Sequence, residues 1–134
     1  MNYKLLILVL FLVNNINAFT QCKEQLVYSC SCPAEGIYLE DFNAKFSEKN
    51  LEKDYWFTLK AGNIYMFDFC YPENYYCKFE LYSSDSTLIE SDLKSYYYFK
   101  TEWGVPPEKY FIKMIADKNT KCAVVVLFFL SKNK

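Results

Sequence analysis

The chain has no histidine and no arginine, only three glycines and four prolines in 134 residues, and no apolar run long enough to span a bilayer. Each lack removes a class of function. Without histidine there is no Ser-His-Asp or Cys-His relay and no imidazole-ligated metal centre. Without arginine, 15 lysines stand against 16 acidic residues. That balance gives no clustered basic face for phosphate, which argues against nucleic acid as a partner and against anchoring to anionic lipid. There is also no internal repeat, no low-complexity tract and, after residue 18, no N-x-S/T sequon. What is abundant is aromatic: 13 Tyr, 12 Phe and 2 Trp, or 20% of the chain. An AT-rich coding bias, in step with the many Lys and Asn, is the plainer alternative reading of this surplus.

The N-terminus, "MNYKLLILVLFLVNNINA", sets an early Lys4 before an apolar core from Leu5 to Val13 and a polar stretch ending at Ala18. That is the layout of a secretory signal peptide, with a core too short for a transmembrane span. Cleavage after Ala18 leaves 134 less 18, or 116 residues, enough for one core. Loss of Lys4 leaves 14 lysines against 16 acids, a net charge of −2. The expected destination is the cell exterior or the lumen of the secretory pathway.

All six cysteines, 22, 30, 32, 70, 77 and 122, lie beyond the signal segment. An even number in a short exported chain predicts three disulfides. Zinc and thioredoxin-like chemistry would need C-x-x-C spacing, which is absent. The stretch "FDFCYPENYYCKFELY" predicts a hairpin stapled by Cys70–Cys77. A Cys30–Cys32 bond would close a strained ring, so one of that pair is expected to tie the arm to Cys122. Cys30–Cys122 with Cys22–Cys32 is favoured, and the swapped pairing is the alternative.

Residues 19–35 show no sustained period and read as a Cys-rich arm. From 36 onward, short aromatic and β-branched runs alternate with turn residues, the texture of strands. Strands are expected at 37–42, 55–60, 64–70, 77–83, 87–91, 95–101, 109–116 and 121–130, with 44–54 a polar loop and Gly62 in a turn of positive φ. "KCAVVVLFFL" reads as a central strand buried on both faces. The fold class is therefore all-β, a disulfide-stapled β-sandwich or jelly roll of eight strands over 36–134.

"DYWFTLKAGNIYMFDF", "CKFELYSSDSTLIESD" and "EKYFIKMIA" resemble the pre-peptidase C-terminal domain over about residues 51–130. That family runs from an aromatic strand through l-x-a-G-x-x-Y-x-f to f-x-L-Y-s-x-d-s. Its usual acid before the Leu-Tyr strand is replaced here by Lys78 and Glu80 nearby. The resemblance implies a secreted jelly roll that acts as a binding or accessory module, with no catalytic residue.

Three constellations remain. Asp68 and Glu80 would face each other across a 64–70/77–83 hairpin, the one arrangement resembling a glycosidase pair; solvated strand-face charge is the plainer reading, and the chain is not expected to be an enzyme. Asp85, Glu90 and Asp92 offer oxygen ligands close in sequence that suit calcium, against ordinary turn chemistry. The aromatics are the third. If Tyr97 and Phe99 face the core, Tyr96 and Tyr98 point out. Tyr75, Tyr76 and Trp103 sit in or beside loops. Exposed rings stack on sugar faces or anchor proteins. The expected function is a secreted, non-catalytic module that binds an extracellular glycan or glycoprotein through these five rings. The alternative is a structural subunit of an extracellular or lumenal assembly.

Overall fold

A computed structural model describes residues 36–71 and 76–134. The expected signal segment (1–18), the expected Cys-rich arm (19–35) and Tyr75 lie outside these residues. Eight strands follow in order: β1 (Ile37–Lys45), β2 (Glu52–Leu59), β3 (Asn63–Cys70), β4 (Cys77–Ser83), β5 (Leu88–Leu93), β6 (Tyr96–Lys100), β7 (Glu108–Ala116) and β8 (Cys122–Lys132). They form two antiparallel four-stranded sheets, β1-β8-β3-β6 and β2-β7-β4-β5. Among the described residues there is no helix.

The two sheets face each other because each strand has one apolar side. Phe42 and Ala44 of β1, Phe67 and Phe69 of β3, and Val125 and Leu127 of β8 meet Phe57 and Leu59 of β2, Phe79 and Leu81 of β4, and Ile112 and Met114 of β7. Rings bridge the layers: Phe42 to Phe57 at 5.6 Å, Phe57 to Phe67 at 5.4 Å and Phe69 to Phe79 at 4.8 Å between centroids. Each fully buried Phe or Leu stabilises the fold by roughly 1.5–3 kcal/mol, so this cross-layer ladder is what holds the sandwich closed. Tyr97 and Phe99 pack against the same core while Tyr96 and Tyr98 point out. The alternation read from "YYYFK" holds.

β8 is buried on both faces, as its unbroken apolar run predicts. Ala123, Val125 and Leu127 enter the sandwich core. Cys122, Val124, Val126 and Phe128 form a second cluster with Met66 of β3 on the opposite side of the sheet.

Two boundaries differ from expectation for one reason. β1 runs on to Lys45 and β2 starts at Glu52, so only a short turn remains of the polar 44–54 segment. That turn is closed by paired bonds between Ser47 and Asn50. Glu52 and Asp54 sit on the solvent side of an edge strand, where a polar sequence is compatible with pairing to β7.

The hairpin between residues 70 and 77 does not form. β3 ends in one sheet and β4 begins in the other. Cys70 pairs in register with Val124 and so lies on the outer side of its sheet, whereas Cys77 points into the core. Cys77 is a free, buried thiol, its pKa pushed up to about 12 chiefly by burial. The expected Cys70–Cys77 staple is therefore absent: the chain crosses between layers at the point where a hairpin was expected.

Candidate functional site

The four expected binding rings among the described residues do not form one surface. Tyr96 and Tyr98 do stand together on β6, 55% and 51% exposed, edge-to-face at 5.5 Å. Tyr76 is exposed at the start of β4, where its N–H donates to Thr120 Oγ1 at 3.1 Å. Trp103 lies at the other end of the molecule and acts as a clasp. Its indole N–H donates to the carbonyl of Asn133, and its ring covers Gly62 so closely that a Cβ there would fall 2.5 Å from it. Gly62 has φ +69°, as the turn requires.

A different aromatic strip occupies the outer face of the β2-β7-β4-β5 sheet. Trp56 pairs in register with Phe111, and Phe111 with Tyr82. The Trp56 and Phe111 rings are 4.6 Å apart, and Phe111 stacks on Tyr82 at 4.8 Å and 4° between planes. Trp56 is 53% exposed; Phe111, between its neighbours, is only 5% exposed. Three adjacent strands thus carry a row of rings about 10 Å long.

A charged row runs beside it. Asp54, Lys113 and Glu80 are aligned across β2, β7 and β4. Lys113 Nζ sits 5.6 Å from the centroid of the Tyr82 ring. The Tyr82 hydroxyl donates to Glu80 at 2.6 Å, and Lys78 pairs with Glu80 at 2.8 Å. The Lys78 ammonium, with help from the Tyr82 hydroxyl, holds the Glu80 carboxyl below its ordinary range; the same bond raises Tyr82. The face thus offers flat apolar rings beside fixed hydrogen-bonding groups. Ser83, Ser84, Asp85, Pro107, Glu108 and Lys109 line an open depression of about 440 Å³.

Asp68 and Glu80 are not a catalytic pair. Asp68 lies on the outer face of one sheet and Glu80 on the outer face of the other, with the core between them. Two carboxylates on opposite sides of a layered core about 10 Å thick cannot flank one glycosidic bond. Asp68 is instead a buried acid, 3% exposed, raised to about 6 by burial, with Oδ2 lacking a hydrogen-bond partner among the described residues.

Asp85 closes the β4–β5 turn by accepting from the Ser83 hydroxyl and, at 3.1 Å, from the Thr87 N–H. Those bonds, Ser83's first, hold its carboxyl below the usual range. Glu90 and Asp92 lie on β5. Among the described residues no set of three Cys, Asp or Glu side chains is placed to hold a metal ion. Nor is any helix there long and apolar enough to cross a membrane. Compared with known proteins, the chain matches no protein-family model and no curated protein.

Reading strands singly missed Trp56, Tyr82 and Phe111. The available signal was that Tyr55 and Phe57 flank Trp56: if they turn inward, Trp56 must turn out.

Proposed function

We propose that this chain is a secreted, non-catalytic binding module, a disulfide-stapled jelly roll that recognises an extracellular glycan or the sugars of a glycoprotein. The observation that carries the reading is the open Trp56–Phe111–Tyr82 strip with its charged row. A ring of this kind covers the C–H face of a sugar, while Glu80, Lys113 and the Tyr82 hydroxyl are set to bond its hydroxyls. The strand order 1-8-3-6 facing 2-7-4-5, in which every connection but the β4–β5 turn crosses between layers, supports the jelly roll. The resemblance of residues 51–130 to the pre-peptidase C-terminal domain supports an accessory role without catalysis.

The test is retention of the oxidised protein on immobilised glycans, beside Trp56→Ala and Tyr96→Ala/Tyr98→Ala variants. Retention lost in the first variant and kept in the second supports the reading. Failure of every glycan to retain the folded protein would remove it. The second reading, an assembly subunit, has its own observation: among the described residues β6 is an edge strand with two outward tyrosines, a template for another chain. Self-association lost in the Tyr96→Ala/Tyr98→Ala variant would favour it.

A further inference from the structure

The outer face of the β1-β8-β3-β6 sheet poses a physical problem independent of the glycan reading. Val124, Val126, Phe128 and Met66 are only 1–4% exposed there, and every member of their cluster belongs to β3 or β8. A single layer of strands cannot bury its own outer face, and the described residues supply no further layer on that side. The burial is complete within one chain, so no second copy is needed to account for it.

Two cysteines mark the same face. Cys70 sits opposite Val124, Cys122 is the next outward residue along β8, and both are disulfide-bonded. They are diagonal neighbours, a relation that sets Cα atoms roughly 7–8 Å apart, beyond the ~4.4–6.8 Å that a disulfide spans. Cys77 is free and faces the core. Of the six cysteines, only 22, 30 and 32 are left as partners.

We infer that this face is the seat of the chain's own N-terminal arm, residues 19–35, fastened by two disulfides that join Cys70 and Cys122 each to an arm cysteine. The reach is sufficient. The chain enters β1 at Ile37, beside Phe129, while Cys122 lies level with Lys45, about 25 Å further along the sheet. Cys30, seven residues before Ile37, spans about that distance when extended, and Cys22 has slack beyond it. Each bond joins two thiols, with two electrons and two protons passing to a disulfide oxidant of the secretory lumen. The arm then acts as a third layer, and the Cys22–Cys32 bond expected from the sequence gives way to two cross-links into the sheet.

The test is a non-reducing peptide map of the purified full chain after thiols are blocked in acid. Cleavage at Lys and Glu places Cys22, Cys70, Cys77 and Cys122 on separate peptides and leaves Cys30 and Cys32 together. The expected result is Cys70 and Cys122 each in disulfide linkage to an arm peptide, as two species or, where Cys30 and Cys32 are both partners, as one three-peptide species, with Cys77 alkylated only after denaturation. A Cys70–Cys77 or Cys70–Cys122 cross-link, or both cysteines recovered as thiols, would overturn the assignment. Peroxide oxidation supplies the second readout. Met66 resists in the intact protein and gains a sulfoxide in a Cys70→Ser/Cys122→Ser variant, while Met114 in the core stays reduced and reports that the variant is folded. Met66 still resisting beside a reduced Met114 would show that the cover does not depend on the bonds. If both methionines oxidise, the variant has unfolded and the peptide map decides.

Discussion

The two outer faces of the sandwich are built from similar residues and behave in opposite ways. On the β1-β8-β3-β6 side, Met66, Val124, Val126 and Phe128 are sealed from water. On the β2-β7-β4-β5 side, Trp56 stands open over Phe111 and Tyr82. The difference lies in what accompanies the apolar groups. The sealed face combines Met66, two valines and the Phe128 ring with cysteines and a buried acid that ionises with difficulty. The open face combines flat rings with Asp54, Lys113, Glu80 and Lys78, which stay hydrated at their tips. Apolar surface without charged neighbours gains most from a permanent cover, whereas rings beside charges suit a cover that comes and goes.

Substitutions on the two faces are expected to separate stability from binding. The largest effect belongs to the sealed face: Phe128→Ala removes a buried ring and should cost about 3–5 kcal/mol of unfolding free energy, read by urea denaturation, with glycan retention of the folded fraction unchanged. Next comes the open face. Trp56→Ala should weaken binding by about 2 kcal/mol, some 30-fold, yet move stability by less than about 1 kcal/mol. If the two variants exchanged these effects, the contrast between the faces would be reversed.

Asp68 sharpens the same comparison through pH. Unfolded, its carboxyl titrates near 3.8; burial on the sealed face raises it to about 6. Between those values the folded form keeps a proton that the unfolded form has released. Stability from this group is therefore greatest in acid and falls as pH rises from about 4 to 6. Asp68→Asn should stabilise the protein by about 1–2 kcal/mol at pH 7.5 and leave it unchanged at pH 4, as thermal melts at the two pH values would show. The smallest effect is that of Tyr96→Ala/Tyr98→Ala, which should alter glycan retention less than about twofold, because this pair stands on the sealed sheet's edge, away from the strip.

The strands were legible because alternation is local. "CKFELYS" and "YYYFK" assign their own inward and outward residues, and "KCAVVVLFFL" shows by its unbroken apolarity that it is covered twice. Sheet membership was not legible in the same way. The turn residues around Pro72 suit a hairpin and a crossover equally, and nothing near Cys70 or Cys77 indicates that one faces out and the other in. The candidate strip was hidden for a related reason: Trp56, Tyr82 and Phe111 become neighbours only through the registers of β2, β7 and β4. The tyrosine run at 96–98, by contrast, drew attention through local density alone.

The most direct test of the contrast is hydroxyl-radical footprinting of the oxidised full chain, read residue by residue by mass spectrometry. The expected result is rapid labelling of Trp56 and Tyr82, with Met66 and Phe128 protected to the level of Met114 and Phe67 in the core. Labelling of Met66 and Phe128 as fast as Trp56 would show both faces open to solvent, and would contradict the account of one sealed face and one binding face.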